Sequence, residues 1–439
     1  FRRVLFRSRS QPRKKRSIKS FAIDTSPLKK YRDFRYLWSA GLITYFGSMI
    51  TYVTLPFQIK ELTNSYVAVG LMGVVQLVPL IVFGLYGGVL ADSVDRKKMV
   101  WATEFGALIA TLLLLINALL PHPHLILLYV VAGIFAALNG LQRPSADAIL
   151  PRIVGQDDLP SASALMSLRW QVGVIGGPAV GGIIIATFGA EWGYALDVAT
   201  FVIALYLLLK VRNIPPTDKA TPPSLSSLVE GLKYAVGRKD LLGTYVIDLA
   251  AMFFAMPNAL FPFWADQVGA PWALGFFYAS STIGSVIVTL TSGWINKYPH
   301  HGRAITIAAL GWGAAIALAG TTNSLPLVLL FLTLAGASDM VSALFRSAIW
   351  NQSIPDHLRG RMAGIELLSY SVGPLAGQTR AGGTAALTSL RTSVISGGLL
   401  CIGFVALTAA LIPSFRRYDV RTNEFVLEEA KNRKNIEKN

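Results

Sequence analysis

Runs of about 20 apolar residues, almost free of charge, recur along the whole of this chain, and few sequence features restrict a fold more. "YVAVGLMGVVQLVPLIVFGLYGGVLA", residues 66–91, is one of them. A helix of that length crosses the hydrocarbon of a bilayer, where a spanning segment must satisfy its own backbone polar groups. Twelve such spans can be marked: Phe34–Phe57, Tyr66–Ala91, Met99–Leu120, Leu125–Leu150, Ala164–Phe188, Trp192–Leu209, Leu241–Trp264, Pro271–Ile295, Ile305–Thr321, Leu325–Phe345, Met362–Leu387 and Ser393–Ile412. Composition agrees. Only 15% of the residues are charged and 53% are hydrophobic, against about 25% charged in soluble domains. A soluble chain of 439 residues would need far more polar surface to cover its core. The fold class expected is an all-α membrane protein with twelve transmembrane helices.

Charge placement orients these helices. Lys and Arg exceed Asp and Glu by 16, an excess that in a soluble chain would suggest a nucleic-acid partner. Here the cations collect in the tails, the linker and alternate loops, at Arg96, Lys97, Lys98, Arg152, Lys233, Arg238, Lys239, Lys297, Arg303, Arg359, Arg361, Arg416 and Arg417. The opposite loops hold little beyond Lys60 and Arg391. That asymmetry predicts both termini on the cytoplasmic side and explains the basicity without nucleic acid. Residues 1–30 are expected to be a basic tail, disordered or non-native. Residues 31–210 should form one six-helix bundle and 240–413 a second. Between them, 211–239 reads as a Pro- and Ser-rich linker in which "SLSSLVEGLKYAV" forms an amphipathic surface helix. Residues 414–439 read as a cytoplasmic tail. Cys401 lies in an apolar run and reads as core.

The halves echo one another. "GGVLADSVDRKK" after span two has a weak counterpart in "SGWINKYPHHGR" after span eight. "GLQRPSADAILPRI" closing span four resembles "ALFRSAIWNQSIPDHL" closing span ten, and "VIGGPAVGG" in span five matches "YSVGPLAGQ" in span eleven. Duplicated bundles with a binding site between them near the midplane are a transporter architecture. The two bundles are therefore expected to be pseudo-symmetric.

Three residue sets resemble the major facilitator superfamily. The loop after span two carries its pattern at Gly88, Leu90, Ala91, Asp92, Arg96, Lys97 and Lys98, with Asp95 where the family has glycine. "GVIGGPAVGG" in span five resembles the signature of the superfamily's antiporters, filled by Gly173, Gly177, Pro178, Gly181 and Gly182. "FGLYGGVLADSVDRKKMV" with "NALLPHPHLILLYVVAG" is similar to the branch that contains enterobactin exporters and macrolide-type efflux proteins. The resemblance implies the two-bundle fold, proton-driven export across a bacterial inner membrane, and a gate in which Asp92 meets the start of helix eleven near Arg361.

The residues carry their own hypotheses. The cations of the loop are topogenic, whereas Asp92 at a helix end can pair and release as the halves rock. Gly177-Pro178 breaks helix five and its glycines permit close helix approach. Carboxylates inside spans are functional by default. Asp248 and Asp339 are thus candidate proton carriers, with a structural pair to Arg346 or Arg380 as the alternative for Asp339. Asp197 reads as a helix-end or structural hydrogen bond, and Glu104 as part of the gate. Tyr45, Ser48, Tyr52, Gln76, Asn139 and Met252 are expected to line a cavity suited to an amphipathic ligand. The paired histidines lack metal-ligand spacing, so no metal is expected. There is no G-x-x-x-x-G-K-[ST] loop for ATP and no hydrolase motif, so neither a cofactor nor an enzymatic activity is expected and the proton gradient is the energy source. The expectation is a monomeric, proton-coupled secondary exporter acting on a siderophore of the enterobactin type. Multidrug or macrolide efflux is the alternative, and a non-transporting receptor the competitor from another class.

Overall fold

The computed structural model of the chain describes residues 24–215 and 232–436, with side chains throughout except at 85, 88–93, 147, 296, 356–357, 359–361, 363–365, 367–368 and 432–436. Twelve long helices succeed one another: α1 (Arg32–Thr63), α2 (Tyr66–Ser93), α3 (Arg96–Ala118), α4 (Leu125–Ile153), α5 (Leu159–Phe188), α6 (Ala190–Leu209), α7 (Lys239–Ala255), α8 (Leu274–Leu290), α9 (His301–Thr321), α10 (Leu325–Ser353), α11 (Asp356–Leu387) and α12 (Leu390–Leu411). A further helix, α13, spans Glu424–Ile436.

The packing shows the duplication directly. In the first half α1 packs on α5 and α6, α4 on α2 and α3, and α3 on α6. In the second half α7 packs on α11 and α12, α10 on α8 and α9, and α9 on α12. Each pair in the second set is its first-half counterpart moved on by six helices. The two extensive contacts between bundles, α2 with α11 and α5 with α8, exchange under the same operation. This is a pseudo-two-fold relation written in contacts. It rests partly on small residues: a Cβ on Gly140 of α4 would meet the Gly84 backbone at 2.7 Å, and one on Gly336 of α10 would overlap Ser281 of α8. Close backbone approach of this kind is how helices associate where lipid offers no hydrophobic drive between them.

The outer faces are apolar. Val67, Leu71, Val74, Val78 and Val82 are all exposed along α2 at spacings of three and four residues, a stripe on one helix face. Leu400, Phe404, Leu407 and Leu411 do the same on α12. Exposed apolar surface repeated on successive helices has lipid as its solvent.

Helix ends depart from the expected spans in physically consistent ways. α1 runs on to Thr63 and α10 to Ser353 through polar residues that hydropathy does not count. The span expected from Leu241 to Trp264 is broken: α7 stops at Ala255, a short 3-10 turn covers Asn258–Leu260, and helix resumes over Phe261–Gln267. Pro257 sits at the break, where it cannot donate to the ladder. The Tyr278 hydroxyl donates to the Asn258 carbonyl at 3.1 Å, satisfying a group the break exposes. Span eight is likewise shorter than expected, ending at Leu290 before a 3-10 stretch over Ser292–Lys297.

Of the expected tails, residues 26–30 form a short helix whose Lys30 pairs with Asp158 at 2.5 Å. The amphipathic linker helix lies largely outside the described residues, and 232–237 is helical. Arg238 ties the start of α7 to the C-terminal helix. It is buried, bonds both oxygens of Asp240, donates to the Ser353 carbonyl at 2.8 Å, and has the ring of Phe425 on α13 at 3.5 Å. The C-terminal helix is thereby docked on the second bundle.

Asp95, the departure from the family pattern, is the N-cap of α3: its side chain accepts from the Lys98 backbone N–H at 3.1 Å. A glycine there would offer no side-chain acceptor. Asp95→Ala should cost the helix about 1 kcal/mol, read as a small fall in the thermal midpoint of detergent-solubilised protein with transport retained.

Candidate functional site

The end of α6 and the start of α7, at Leu209 and Lys239, mark one end of the molecule, the linker end; the opposite one is the far end. The bundles meet at the far end. A Cβ on Gly70 of α2 would come within 3.1 Å of the Gly382 Cα on α11, and one on Gly73 would overlap the Leu375 carbonyl. Thr379 Oγ1 donates across the same contact to the Gly70 carbonyl at 2.8 Å. On the opposite side of the molecule Gly182 of α5 and Gly275 of α8 leave each other no room for a side chain. Lys60 pairs with Asp266 across the bundles, and the rings of Tyr66 and Phe263 lie 4.4 Å apart. Below them Tyr52 meets Tyr278 edge-on at 5.5 Å and accepts from Asn258 Nδ2 at 3.4 Å.

Beneath this seal lies a cavity of about 480 Å³, within the usual range for a small-molecule site. Its wall extends from Tyr52 down to Leu37, Val100 and Leu208 near the linker end. Of the six cavity candidates, Tyr45, Ser48, Tyr52, Gln76 and Asn139 line it. Met252 does not. Its backbone and Cβ pack against Gly373 and Gly377 of α11, so its helix face is turned into the bundle.

The carboxylates are distributed otherwise than hydropathy suggests. Asp248 on α7 is buried, pairs with Arg346 of α10 and accepts from Ser369 Oγ of α11 at 2.9 Å. Asp339 is half-exposed and stands 3.8 Å from the other guanidinium nitrogen of Arg346. Neither is among the residues lining the cavity. Glu104, expected in the gate, is instead part of the cavity wall, where Gln142 Nε2 donates to its Oε1 at 2.7 Å. Asp197 is wholly buried and accepts from Thr51 at 2.5 Å, Thr200 at 3.2 Å and Thr111 at 3.5 Å, tying α1, α3 and α6 together. That is the structural hydrogen bonding expected of it, deep in the helix rather than at its end.

Helix five runs unbroken through Gly177-Pro178, contrary to the break expected there, and its glycines divide between two neighbours. Gly173, Gly177 and Gly181 pack on α1, against Tyr45, Met49 and Ile50, whereas Gly182 faces α8 of the other bundle. Pro178 contributes there too, since its carbonyl touches Gly275. At the start of α3, Arg96 is buried, with Nη1 donating to the Ala148 carbonyl at 3.5 Å and its backbone N–H to the Ile214 carbonyl at 3.0 Å. Lys97 is half-buried. The expected meeting of Asp92 with Arg361, beside Gly88, lies outside the described side chains.

Two cations of the site escape the sequence reading. Arg169 of α5 lines the cavity and lies on Gly41, whose Cβ would come within 2.7 Å of its guanidinium carbon. Arg143 of α4 sits 5.0 Å from the ring of Tyr370 on α11, a contact between bundles. The signal that could have found them is a charge inside an apolar run. No group of three or more His, Cys, Asp or Glu placed to hold a metal occurs among the described residues.

Two pseudo-symmetric six-helix bundles, sealed together at one end over a central cavity, define a multi-pass transporter of the major facilitator superfamily. Solved structures agree on the fold: a POT family transporter in complex with 5-aminolevulinic acid superposes with a TM-score of 0.71 at 12% identity, covering 88% of this chain and 97% of that one, and the nucleoside transporter NupG with 0.69 at 13%, covering 87% and 98%. The chain belongs to the transmembrane secretion effector family, whose model matches residues 23–435. Among its relatives, the enterobactin exporter EntS of Shigella boydii serotype 18 is 30% identical over 395 residues, 88% of this chain and 94% of that protein.

Proposed function

We propose that this protein is a proton-coupled secondary exporter that carries a small amphipathic molecule from the cytoplasm, with a siderophore of the enterobactin type as its first substrate class. The observation that carries the reading is the central cavity, lined by tyrosines and side-chain amides, in a chain whose relatives over almost its full length are enterobactin exporters. The linker end, rich in cations, is the cytoplasmic face of a bacterial inner membrane, and the far-closed arrangement is the state that accepts cytoplasmic substrate. In this reading Asp248 is a fixed counter-charge for Arg346, Asp339 is the more accessible carboxyl of the second bundle, and Gly88, Asp92, Arg96, Lys97 and Arg361 belong to the gate at the cytoplasmic end. One chain forms the whole pathway, so a monomer suffices.

Purified protein in proteoliposomes should exchange internal for external enterobactin, and a pH gradient of about one unit should concentrate it about tenfold against its own gradient for a one-proton exchange. Exchange of a macrolide but not of enterobactin would move the substrate to the efflux class. Enterobactin binding with no exchange of either compound would leave a receptor.

A further inference from the structure

Among the described side chains, the buried and half-buried carboxyls inside the bundles have both oxygens engaged or lie away from the cavity, with one exception. Asp197 takes hydroxyl hydrogen bonds on both oxygens. Asp248 has Arg346 on one oxygen and Ser369 on the other. Asp339 and Glu366 are outside the cavity wall. Glu104 lines the cavity, has Gln142 on Oε1, and carries an Oε2 that is buried with no hydrogen-bond partner among the described residues. A bare carboxylate oxygen held out of water costs free energy, and a proton on it removes the charge. We propose that Glu104 is the group at which proton and substrate compete, an inference that rests on the exporter reading above.

The surroundings suit that exchange. The charged groups that act on Glu104 are Arg169 on α5 and Asp197 on α6, and the Thr44 hydroxyl on α1 lies beside it. Arg169 supplies the positive charge that an ionised Glu104 requires, and Asp197 is locked in its threonine cage. In the far-closed state substrate entering from the cytoplasm displaces the proton from Oε2 into cytoplasmic water, leaving a Glu104 anion balanced by Arg169. Once the far end opens and substrate departs, Oε2 takes a proton from outside. One O–H bond breaks and one forms per cycle, and nothing is oxidised or reduced.

Glu104→Gln keeps the shape and Gln142 contact but cannot titrate. In proteoliposomes it should lose the roughly tenfold enterobactin accumulation that a one-unit pH gradient drives in the parent, whatever its rate of counterflow. Its enterobactin affinity should also become independent of pH, where the parent's changes with pH. Glu104→Asp, still titratable, should recover part of the pH-driven accumulation. Full pH-driven accumulation by Glu104→Gln would overturn the assignment and leave the exporter reading intact. A parent protein that exchanges enterobactin with no response to pH would overturn the assignment and the proton coupling together.

Discussion

Asp248→Ala should be among the most damaging single changes in this chain. It strips the principal counter-charge from Arg346, which is itself buried and whose Nε has no hydrogen-bond partner among the described residues. Asp339, 3.8 Å away and half-exposed, compensates poorly. Removing one member of a buried pair costs about 3–5 kcal/mol because the other charge stays behind, and inside a membrane the alternative of solvating it is closed. The same contact joins three helices, since Asp248 lies on α7, Arg346 on α10 and Ser369 on α11. Trp350 reinforces it one turn further on, donating to Thr244 at 3.0 Å and stacking on Tyr245 at 5.1 Å. The thermal midpoint in detergent should fall steeply and counterflow should vanish with it. Asp248→Leu combined with Arg346→Met should recover much of the midpoint, because a charge-free pair no longer demands a partner. A single Asp248→Ala variant as stable as the parent would remove the pair from the account.

The same physics decides which features are legible in the sequence. Hydropathy reports depth in the bilayer, so the twelve spans, the linker and the charge bias can be read without a structure. The duplication can be read as well, and it reappears as paired helix contacts. Hydropathy does not report which way a helix face turns. That is why Met252 is expected in the cavity and faces α11, and why Glu104 is expected at the gate and lines the cavity. Nor does it report partners far apart in the chain. Arg346 stands two turns from Asp339 in sequence, but its closer ion pair is with Asp248, 98 residues away. Pro257, by contrast, is a local signal of the break after α7 that a hydropathy window averages away. Asp95 shows the reverse case: measured against a family pattern it is a defect, and measured against a helix terminus it is a cap.

Gly275→Leu should disable the transporter without unfolding either bundle. The position is the second bundle's half of the α5–α8 contact, where a Cβ would run into the Pro178 carbonyl, and Gly182 opposite has no more room. Both obstacles are backbone, so no rotamer change relieves them. Each bundle's own packing is untouched, since the clash exists only when the far end is shut. Overpacking of this kind costs about 1–3 kcal/mol, and placed on one of two states it shifts their ratio by about 5–150-fold. The far-closed state, which the proposed function makes the one that accepts cytoplasmic substrate, would be depleted by that factor, and net export would fall with it. Lys60→Cys and Asp266→Cys, which replace the ion pair across the same seal, give a direct readout, in a background with Cys401→Ala: their cross-link should form readily in the parent and poorly with Gly275→Leu. Gly383, which has nothing within 4 Å of a built Cβ, is the control, and Gly383→Leu should leave cross-linking and export near parental values. Gly177→Leu should behave differently again, because it meets Met49 Cβ at 2.5 Å inside the first bundle and should lower the thermal midpoint in both states alike. If Gly275→Leu cross-links and exports like the parent, the α5–α8 glycines are not the hinge contact of the far gate, and the family's helix-five signature serves packing on α1 alone.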